Sequence, residues 1–342
     1  MISIDGSIGE GGGQVLRTAV SLSLVTGQTI RISNIRQGRK NPGLQAQHLA
    51  AVRIATEISE AEVIGAELNS KTLLFSPKKV TPGKYHCQIK TAGSTSLALQ
   101  TVYLPLSFCE KSSRLSISGG THAAFAPSFD FLSLHWAYYL NSIGFKVALG
   151  LEQAGFFPQG GGLIDAQLSP AGSIRELDLI EPGPLKQIRG ISAIANLDRT
   201  IAERQRQRVI HRLGNKYRLN DIRIRELPSN YKGTTLCLVC EFENSQCCYF
   251  SLGARGKPAE KVADEVCDQI EYLMSTNAAL DEYIADQLLL PLAFGKNTSV
   301  FSTAKITRHL ITNAEIIQIF TPARIKISGD INQPGTVSIK PQ

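Results

Sequence analysis

The stretch QVLRTAVSLSLVTGQTIRIS (residues 14–33) decides the fold, because its pattern returns later in the chain. A helix of small and apolar residues ends in a polar turn, and a strand of the form x-[IL]-x-[IV]-S follows. The same order occurs at 95–118, and a looser third copy occupies 285–306. Repeats of helix, turn and strand indicate an α+β protein built from similar α/β units.

The middle of the chain departs from this pattern. Residues 198–219 read as a basic helix, and two strand patterns and a second helix follow it up to residue 275. We predict a small α/β domain at 183–275, inserted into a large domain formed by 1–182 and 276–342. The basic helix is a candidate for RNA binding, although such a charge run is more often a solvated face.

Length, charge and hydropathy narrow the class of protein. A chain of 342 residues is long for one core, since cores stop growing near ~250–300 residues. Lys and Arg number 36 against 29 Asp and Glu, a net charge of +7, which favours a polyanionic partner, although many soluble proteins are equally basic. The start MISIDGSIGE lacks the features of a secretory signal, and no apolar run approaches the ~18 residues of a membrane helix. We therefore expect a cytoplasmic protein with no membrane contact.

The seven cysteines are odd in number and unevenly spaced, which suits a reducing compartment. Cys237 and Cys240 form a CxxC that a zinc site would also explain. We prefer a strand, because TTLCLVCEF has the composition of one, and residues three apart on a strand point to opposite faces.

The glycine-rich segment GSIGEGGGQVLR (6–17) lies between a predicted strand and a predicted helix, where backbone N–H groups attract anions. It is neither a dinucleotide fingerprint nor a P-loop. Glu10, Gln14 and Arg17 are spaced as one polar stripe if the helix begins early. Such a stripe can hold a metal and a phosphate, and a structural ion pair explains it equally well.

Other polar residues leave two interpretations open. Arg36 and Arg39 lie on a basic loop that suits a phosphate chain, and His48 on the next helix is by itself more typical of a packed side chain. Gln100 interrupts an apolar helix, so its amide is either a bridge in the core or a ligand contact.

The stretch TRHLITN (307–313) contains the most informative histidine. Thr312 and Glu315 match a capping box, which predicts a helix starting near residue 313 and places His309 on the preceding turn. An imidazole there is largely neutral at pH 7 and is available as a nucleophile or a base. No second His or Cys is close enough in sequence to suggest a metal site.

Eight segments taken in order resemble the RNA 3′-terminal phosphate cyclase family. Any one of them is weak evidence, but together they span essentially the whole chain. The segments are DGSIGEGGGQVLR, RKNPGLQAQHL, STSLALQ, GGTHAAFAPSFDF, GFFPQGGG, RGKPAEKV, YIADQLLLPLA and TRHLITN.

The resemblance implies a large domain of three repeated βαβαββ-like units, with a smaller α/β domain inserted before the third. It also implies ATP-dependent conversion of an RNA 3′-phosphate to a 2′,3′-cyclic phosphate, through a covalent histidine–AMP and an RNA-pp-A end. The implied cofactors are ATP and a divalent cation, Mg or Mn. The implied partner is RNA with a 3′-phosphate, and no obligate protein partner is expected.

By position in the family pattern, His309 is the nucleophile and Glu10 helps to hold the metal, while Pro127 and Tyr283 sandwich the adenine. The implied ATP-binding residues are Gln100, Pro127, Tyr283, Ile284, Ala285, Asp286 and Gln287. The implied phosphate- and RNA-binding residues are Gln14, Arg17, Arg36, Arg39 and His48.

Two positions depart from the family pattern, which usually has Arg or His at position 154 and Glu at position 254. Ala154 and Ala254 stand there instead, and we interpret them as a lost basic–acidic contact. Two rival functions remain open: a non-catalytic relative in ribosome assembly, which would lack the nucleophilic histidine, and an enolpyruvyl transferase, which would leave the AMP-pocket motifs unexplained.

Overall fold

The computed structural model describes residues 1–341. The first sheet has four strands, of which the first two run parallel and the other neighbours antiparallel. The strands are β1 (Ile2–Asp5), β2 (Ile30–Ser33), β3 (Glu62–Ile64) and β4 (Leu73–Ser76), in the spatial order β1-β2-β4-β3. Helices α1 (Gly13–Thr26) and α2 (Ala46–Ser59) connect β1 to β2 and β2 to β3. Helix α1 ends at Gly27, whose left-handed φ of 70° closes the last turn.

The second sheet repeats this arrangement. Its strands are β5 (Lys84–Gln88), β6 (Ser113–Gly119), β7 (Lys146–Gln153) and β8 (Gly162–Ser169), in the order β5-β6-β8-β7. Helix α3 (Thr95–Ser107) connects β5 to β6. The connection from β6 to β7 consists of α4 (Phe129–Phe131), a π-helical turn over Leu132–Trp136 and α5 (Ala137–Ser142).

A short strand, β9 (Asp178–Leu179), precedes a sheet of different order. That sheet comprises β10 (Leu185–Ala195), β11 (Leu219–Glu226), β12 (Gly233–Phe242) and β13 (Gln246–Leu252), in the order β11-β10-β12-β13. Its helices are α6 (Arg199–Leu213) and α7 (Ala259–Met274). All of these elements except β9 fall within residues 183–275.

The last sheet takes β9 as an edge strand and returns to the first arrangement. Helix α8 (Glu282–Leu292), β14 (Ser299–Thr303), α9 (Arg308–Phe320), β15 (Arg324–Ser328) and β16 (Gly335–Lys340) give the order β15-β16-β14-β9. The mixed α+β class predicted from the sequence is confirmed. The division into a three-unit domain and an inserted domain stays a prediction, which the recurring strand order favours.

The buried apolar residues form one large cluster and two smaller ones. The second cluster lies between the β10–β13 sheet and helices α6 and α7. In the third, Ala154 and Phe156 pack against Ile191 and Ala193. Ala154 is fully buried there, whereas Ala254 is exposed. A basic side chain at position 154 would therefore have to enter an apolar cluster, which weakens the interpretation of a lost basic–acidic contact.

The basic helix predicted at 198–219 carries ion pairs instead of a free cationic strip. Arg204, Arg208 and Arg212 of α6 face acidic side chains of α7. The distances are 2.7 Å from Arg204 to Glu260, 2.7 Å from Arg208 to Asp264 and 2.9 Å from Arg212 to Asp268. Because the carboxylates neutralise these guanidinium groups, the helix offers little net charge to RNA.

The CxxC motif lies on β12, as the strand interpretation predicted. Cys237 packs in the large cluster beside Cys248, while Cys240 packs in the second cluster on the opposite face. The seven cysteines are free. Between residues 1 and 341, no helix combines the length and apolar character that a membrane span requires.

A buried carboxylate fixes the start of α8. Asp281 accepts hydrogen bonds from the backbone N–H groups of Tyr283 (3.0 Å), Ile284 (2.9 Å) and Cys248 (3.0 Å). Its Oδ2 also lies 2.6 Å from Nε2 of His135 in the π-helical turn, and both side chains are fully buried. One carboxylate therefore joins α8, β13 and the connection between β6 and β7.

We expect Asp281→Ala to lower the free energy of unfolding by about 3–5 kcal/mol, because it leaves several buried donors without an acceptor. Urea unfolding followed by circular dichroism measures this loss. Asp281→Asn is the matched variant, since an amide oxygen still caps the helix, and it should lose less. A loss below about 1 kcal/mol for Asp281→Ala would show that the carboxylate does not join these elements.

Candidate active site

A cavity of about 420 Å³ opens between the helices of the first, second and last sheets. Helices α1, α3, α8 and α9 and the loop 119–128 supply most of its wall. Its volume is in the range of small-molecule sites. Eight of the residues singled out in the sequence line it: Gln14, Arg17, Gln100, Pro127, Tyr283, Asp286, Gln287 and His309.

His309 lies in the first turn of α9 and not on a preceding connection. The helix begins at Arg308, and the Thr307 hydroxyl caps it by accepting from the Leu310 N–H at 3.0 Å. The predicted capping box at Thr312 is therefore wrong, because the Thr312 hydroxyl donates to the Arg308 carbonyl inside the helix. Only Thr312 is followed by a glutamate three positions later, yet the hydroxyl of Thr307 forms the cap.

The His309 imidazole stands at the cavity mouth beside a carboxylate. Nε2 lies 3.1 Å from Oε2 of Glu10, and the side chain is 45% exposed. Partial burial lowers the pKa of His309, with Arg17 and Arg39 adding to the effect and Glu10 opposing it. The imidazole is accordingly neutral at pH 7 and accessible from the cavity.

Glu10 and Arg17 flank this histidine. Oε1 of Glu10 accepts from Nη2 of Arg39 at 2.8 Å, and Arg17 donates to the amide oxygen of Gln14 at 2.7 Å. Burial lowers the pKa of Arg17 to about 10, although Asp286 and Glu10 oppose the shift. Arg17 remains a cation at neutral pH and is positioned to meet an anion in the cavity.

The side chains of His48 and Arg17 both pack against Gly13. A Cβ at Gly13 would collide with Nε2 of His48 and lie 2.8 Å from Nη1 of Arg17. His48 is buried, with its Nδ1 accepting from the Gln45 N–H at 3.2 Å. Burial and the neighbouring arginines Arg17 and Arg36 lower the pKa of His48 to about 3, so its ring stays neutral.

Arg36 is bound mainly to its own loop. Its guanidinium donates to the carbonyls of Asn41 at 2.6 Å and Gly43 at 2.9 Å. Arg39 is the more exposed of the two predicted loop arginines and reaches Glu10. The structure thus brings Arg39 to the cavity mouth and holds Arg36 in the loop behind it.

The far end of the cavity is aromatic and amide-lined. The Gln100 amide donates to Gln287 at 2.6 Å, so Gln100 both bridges two helices and borders the cavity. The Tyr283 hydroxyl donates to Gln269 at 3.1 Å, and its ring meets Phe131 edge-on at 6.3 Å. Ile284 and Ala285 lie elsewhere, fully buried behind the cavity wall.

Asp286 is a carboxyl group held largely in its neutral form. Burial raises its pKa to about 8, with Asp281 and Glu10 adding to the shift and Arg17 opposing it. A protonated carboxyl beside Arg17 is a hydrogen-bond donor. The group therefore adds little negative charge to the cavity at pH 7.

Comparison with known proteins matches residues 8–327 to the family model described as RNA 3′-terminal phosphate cyclase. The chain belongs to the RNA 3′-terminal phosphate cyclase family. It is 42% identical to the protein of that name from Koribacter versatilis, across 97% of this chain and 93% of that protein. It is 39% identical to the protein of that name from Nostoc punctiforme, across 96% of this chain and 96% of that protein. It is 37% identical to the one from Methanopyrus kandleri, across 100% of this chain and 99% of that protein.

Among solved structures, the enolpyruvyl transferase NikO from Streptomyces tendae aligns with a TM-score of 0.29 and 14% identity. The alignment covers 50% of this chain and 33% of that one. Such a likeness is too low to indicate a shared function.

Sequence reasoning missed several residues that build this cavity. Thr18 donates to Oδ1 of Asn313 at 2.8 Å, and Asn313 donates to the Asp286 carbonyl at 2.7 Å. An Asn among apolar residues in a helix was the available signal. The cavity wall also contains Phe125, Phe131, Trp136 and Phe250, which the sequence could not distinguish from core aromatics.

The polar residues of the site suit a cation that arrives with phosphate groups. Within 1–341, no cluster of three or more His, Cys, Asp or Glu side chains has the geometry of a metal site. Glu10 supplies one carboxylate near His309. A single carboxylate fits Mg²⁺ or Mn²⁺ that takes its other ligands from water and a nucleotide.

The raised pKa of Asp286 has a consequence for stability. The folded state keeps a proton up to about pH 8, whereas the unfolded chain loses it near pH 4, so this group destabilises the fold increasingly between those values. We expect Asp286→Asn to gain stability relative to the parent as pH rises from 5 to 8, by at most about 1.4 kcal/mol per unit.

Urea unfolding at several pH values measures this difference, with the exposed Asp330→Asn as the control. A gap between Asp286→Asn and the parent that does not change with pH would show that the carboxyl is ionised in the fold.

Proposed function

We propose that the chain is an ATP-dependent RNA 3′-phosphate cyclase in which His309 is the nucleophile. The observation that carries the proposal is the neutral, accessible imidazole of His309 at the mouth of a nucleotide-sized cavity, in a chain of this family. The product is a 2′,3′-cyclic phosphate, formed at the expense of ATP, which yields AMP and pyrophosphate.

In the first step, Nε2 of His309 attacks the α-phosphorus of ATP, and the bond to the β-phosphate oxygen breaks. The attack needs the ring proton on Nδ1 and a free electron pair on Nε2, so the 3.1 Å contact of Nε2 with the Glu10 carboxylate would open when ATP and its cation bind. Arg17 would stabilise the charge that develops on the phosphate oxygens. The products are histidine–AMP and pyrophosphate.

In the second step, an oxygen of the RNA 3′-phosphate attacks the phosphorus of histidine–AMP, and the P–N bond breaks. In the third, the 2′-hydroxyl attacks the RNA phosphorus, its proton leaves, and AMP departs. The covalent route is favourable because a phosphate monoester lacks a good leaving group, whereas the anhydride contains one.

In this proposal, the residues of the cavity wall bind a purine nucleotide. Pro127 and Tyr283 both border its aromatic end, where we propose that they hold the adenine between them. Gln100, Asp286 and Gln287 would contact the nucleoside, and Gln14 and Arg17 the phosphates. Arg39 would meet the RNA end, with Arg36 and His48 supporting the surrounding structure.

A divalent cation would bind the ATP phosphates together with Glu10. When bound, it supplies Lewis-acid stabilisation of the pyrophosphate leaving group. The carboxylate has a second role in this proposal, because its charge opposes the effect of Arg17 and Arg39 on the basicity of His309.

The alternative function is that of an RNA-binding relative without catalysis. The presence of an accessible His309 beside Glu10 and Arg17 favours the enzyme. Consumption of ATP in the presence of RNA separates the two.

We expect the protein to become labelled by α-labelled ATP with a divalent cation in the absence of RNA, and His309→Ala to abolish labelling completely. Denaturing electrophoresis detects the acid-labile adduct. His86→Ala removes an exposed histidine on β5 and should label like the parent. Labelling that persists in His309→Ala would assign the nucleophile to another residue, and no labelling of the folded parent would favour the non-catalytic alternative.

The pH dependence of labelling tests the environment of the nucleophile. Since the pKa of His309 is lowered, the labelling rate should begin to fall only below the ordinary histidine value of about 6.5. Glu10→Gln removes the opposing negative charge, so we expect its acid limb at still lower pH, whatever its maximal rate. An acid limb that moved upward in Glu10→Gln would contradict the assigned electrostatics.

A further inference from the structure

Four loops lie side by side, and one of them borders the cavity. They are 89–94, 119–128, 153–162 and 228–233, and we call them the aromatic loops. They come from separate parts of the chain, and backbone hydrogen bonds join each to a neighbour. These bonds run from Gly120 N to Gly93 O (2.8 Å), from Thr121 N to Gly155 O (3.0 Å) and from Ala154 N to Pro228 O (2.7 Å).

Three of the aromatic loops each present an exposed aromatic ring. Phe125 is fully exposed, Phe157 is 79% exposed and Tyr231 is 38% exposed. Buried contacts beneath them hold the loops together: the His122 and Phe156 rings stack at 4.9 Å. A single exposed ring is common on soluble proteins, but three on adjoining loops form a surface that requires an explanation.

The aromatic loops contain basic residues but no acidic ones. Their sequences contain no Asp or Glu, and they contribute the exposed cations Lys90 and Lys232. In a chain with 29 acidic residues, four adjoining loops without a carboxylate suit a polyanion better than a neutral peptide. Exposed aromatic rings combined with lysines are typical of surfaces that bind single-stranded nucleic acid.

Phe125 connects this surface to the cavity. It lines the cavity together with Pro127 and His309, and its φ of 60° is a left-handed conformation that a bulky residue seldom adopts. Strain of this kind is commonly retained where it positions a functional group. Here it accompanies a fully exposed ring at the edge of the cavity.

We propose that the aromatic loops bind the unpaired 3′-terminal nucleotides of the RNA, whose bases stack on Phe125, Phe157 and Tyr231. The identity of the RNA end rests on the proposed function, but the surface itself is argued from exposed rings, charge and continuity with the cavity. Stacking on a ring accepts any base, so the surface binds with little sequence preference. Lys90 and Lys232 contact the backbone phosphates.

The test is direct binding of a single-stranded RNA of about ten nucleotides with a 3′-phosphate and a 5′ fluorophore, measured by anisotropy. Phe157→Ala and Tyr231→Ala should each raise Kd by about 5- to 150-fold. Phe157→Trp retains a stacking surface and should bind like the parent. Tyr138→Ala is the matched control, since it removes a ring of comparable exposure (47%) outside the aromatic loops.

The outcomes separate this proposal from the catalytic one. Self-labelling needs no RNA, so normal labelling of Phe157→Ala with weakened RNA binding supports both proposals. An unchanged Kd in both alanine variants, a loss in Tyr138→Ala of equal size, or no RNA binding by the parent overturns the aromatic surface even if labelling succeeds. Failure of labelling in the parent, with ring-dependent RNA binding, overturns the catalytic proposal alone.

Binding of double-stranded RNA of the same length is a further test, because paired bases cannot stack on the rings. Equal binding of the duplex would overturn the proposal in favour of phosphate contacts alone. A tenfold or greater preference for the single strand, lost in Phe157→Ala, is the expected result.

Discussion

The hydrogen bond from Thr18 to Asn313 joins the first helix of the chain to the last, and the cavity depends on that junction. The two residues are 295 positions apart, and the bond is buried. Asn313 also binds the Asp286 carbonyl, so α1, α8 and α9 are fixed to one another. Arg17 and His309 belong to segments at opposite ends of the chain and face the same space only because this interface forms.

The same junction sets the electrostatics of the cavity. Burial drives His48, His309 and Asp286 towards their neutral forms, as their shifted pKa values indicate. The guanidinium of Arg17 retains its charge because its pKa, though lowered to about 10, stays far above neutrality. The cavity therefore lacks enough nearby negative charge to balance its cations, and a bound anion would reduce that imbalance.

Within this arrangement, His309 occupies an ordinary position for a helical side chain. Its ring sits in the first turn of a capped helix, and that helix is held by packing and not by the histidine. Replacing the His309 side chain should therefore cost the fold little stability. Glu10 completes the balance, since it lies between His309 and Arg39 and partly screens one from the other.

The sequence predicts those features that depend on neighbouring residues and misses those that depend on residues distant in the chain. The helix and strand at 14–33 and the strand at 234–242 were predictable because apolar periodicity is a property of neighbours. The start of α9 was not, because Thr312 and Glu315 match the capping box in the sequence, whereas the hydroxyl that caps the helix belongs to Thr307. The Thr18–Asn313 bond was out of reach for a stronger reason: neither residue has a local pattern that names a partner near the other end of the chain.

The charged residues of α6 also show that the sequence does not reveal partners far away along the chain. The sequence points to α6 as the basic element, yet its arginines face Glu260, Asp264 and Asp268 on α7, which the sequence places 56 residues away from their partners. The arginine-rich sequence of α6 therefore marks a row of ion pairs with α7 and not an anion-binding surface. On the aromatic loops the reverse holds, since they contain two lysines, Lys90 and Lys232, and no carboxylate. Because attraction for a polyanion depends on the unneutralised field, the absence of acidic groups there counts for more than the abundance of basic groups on α6.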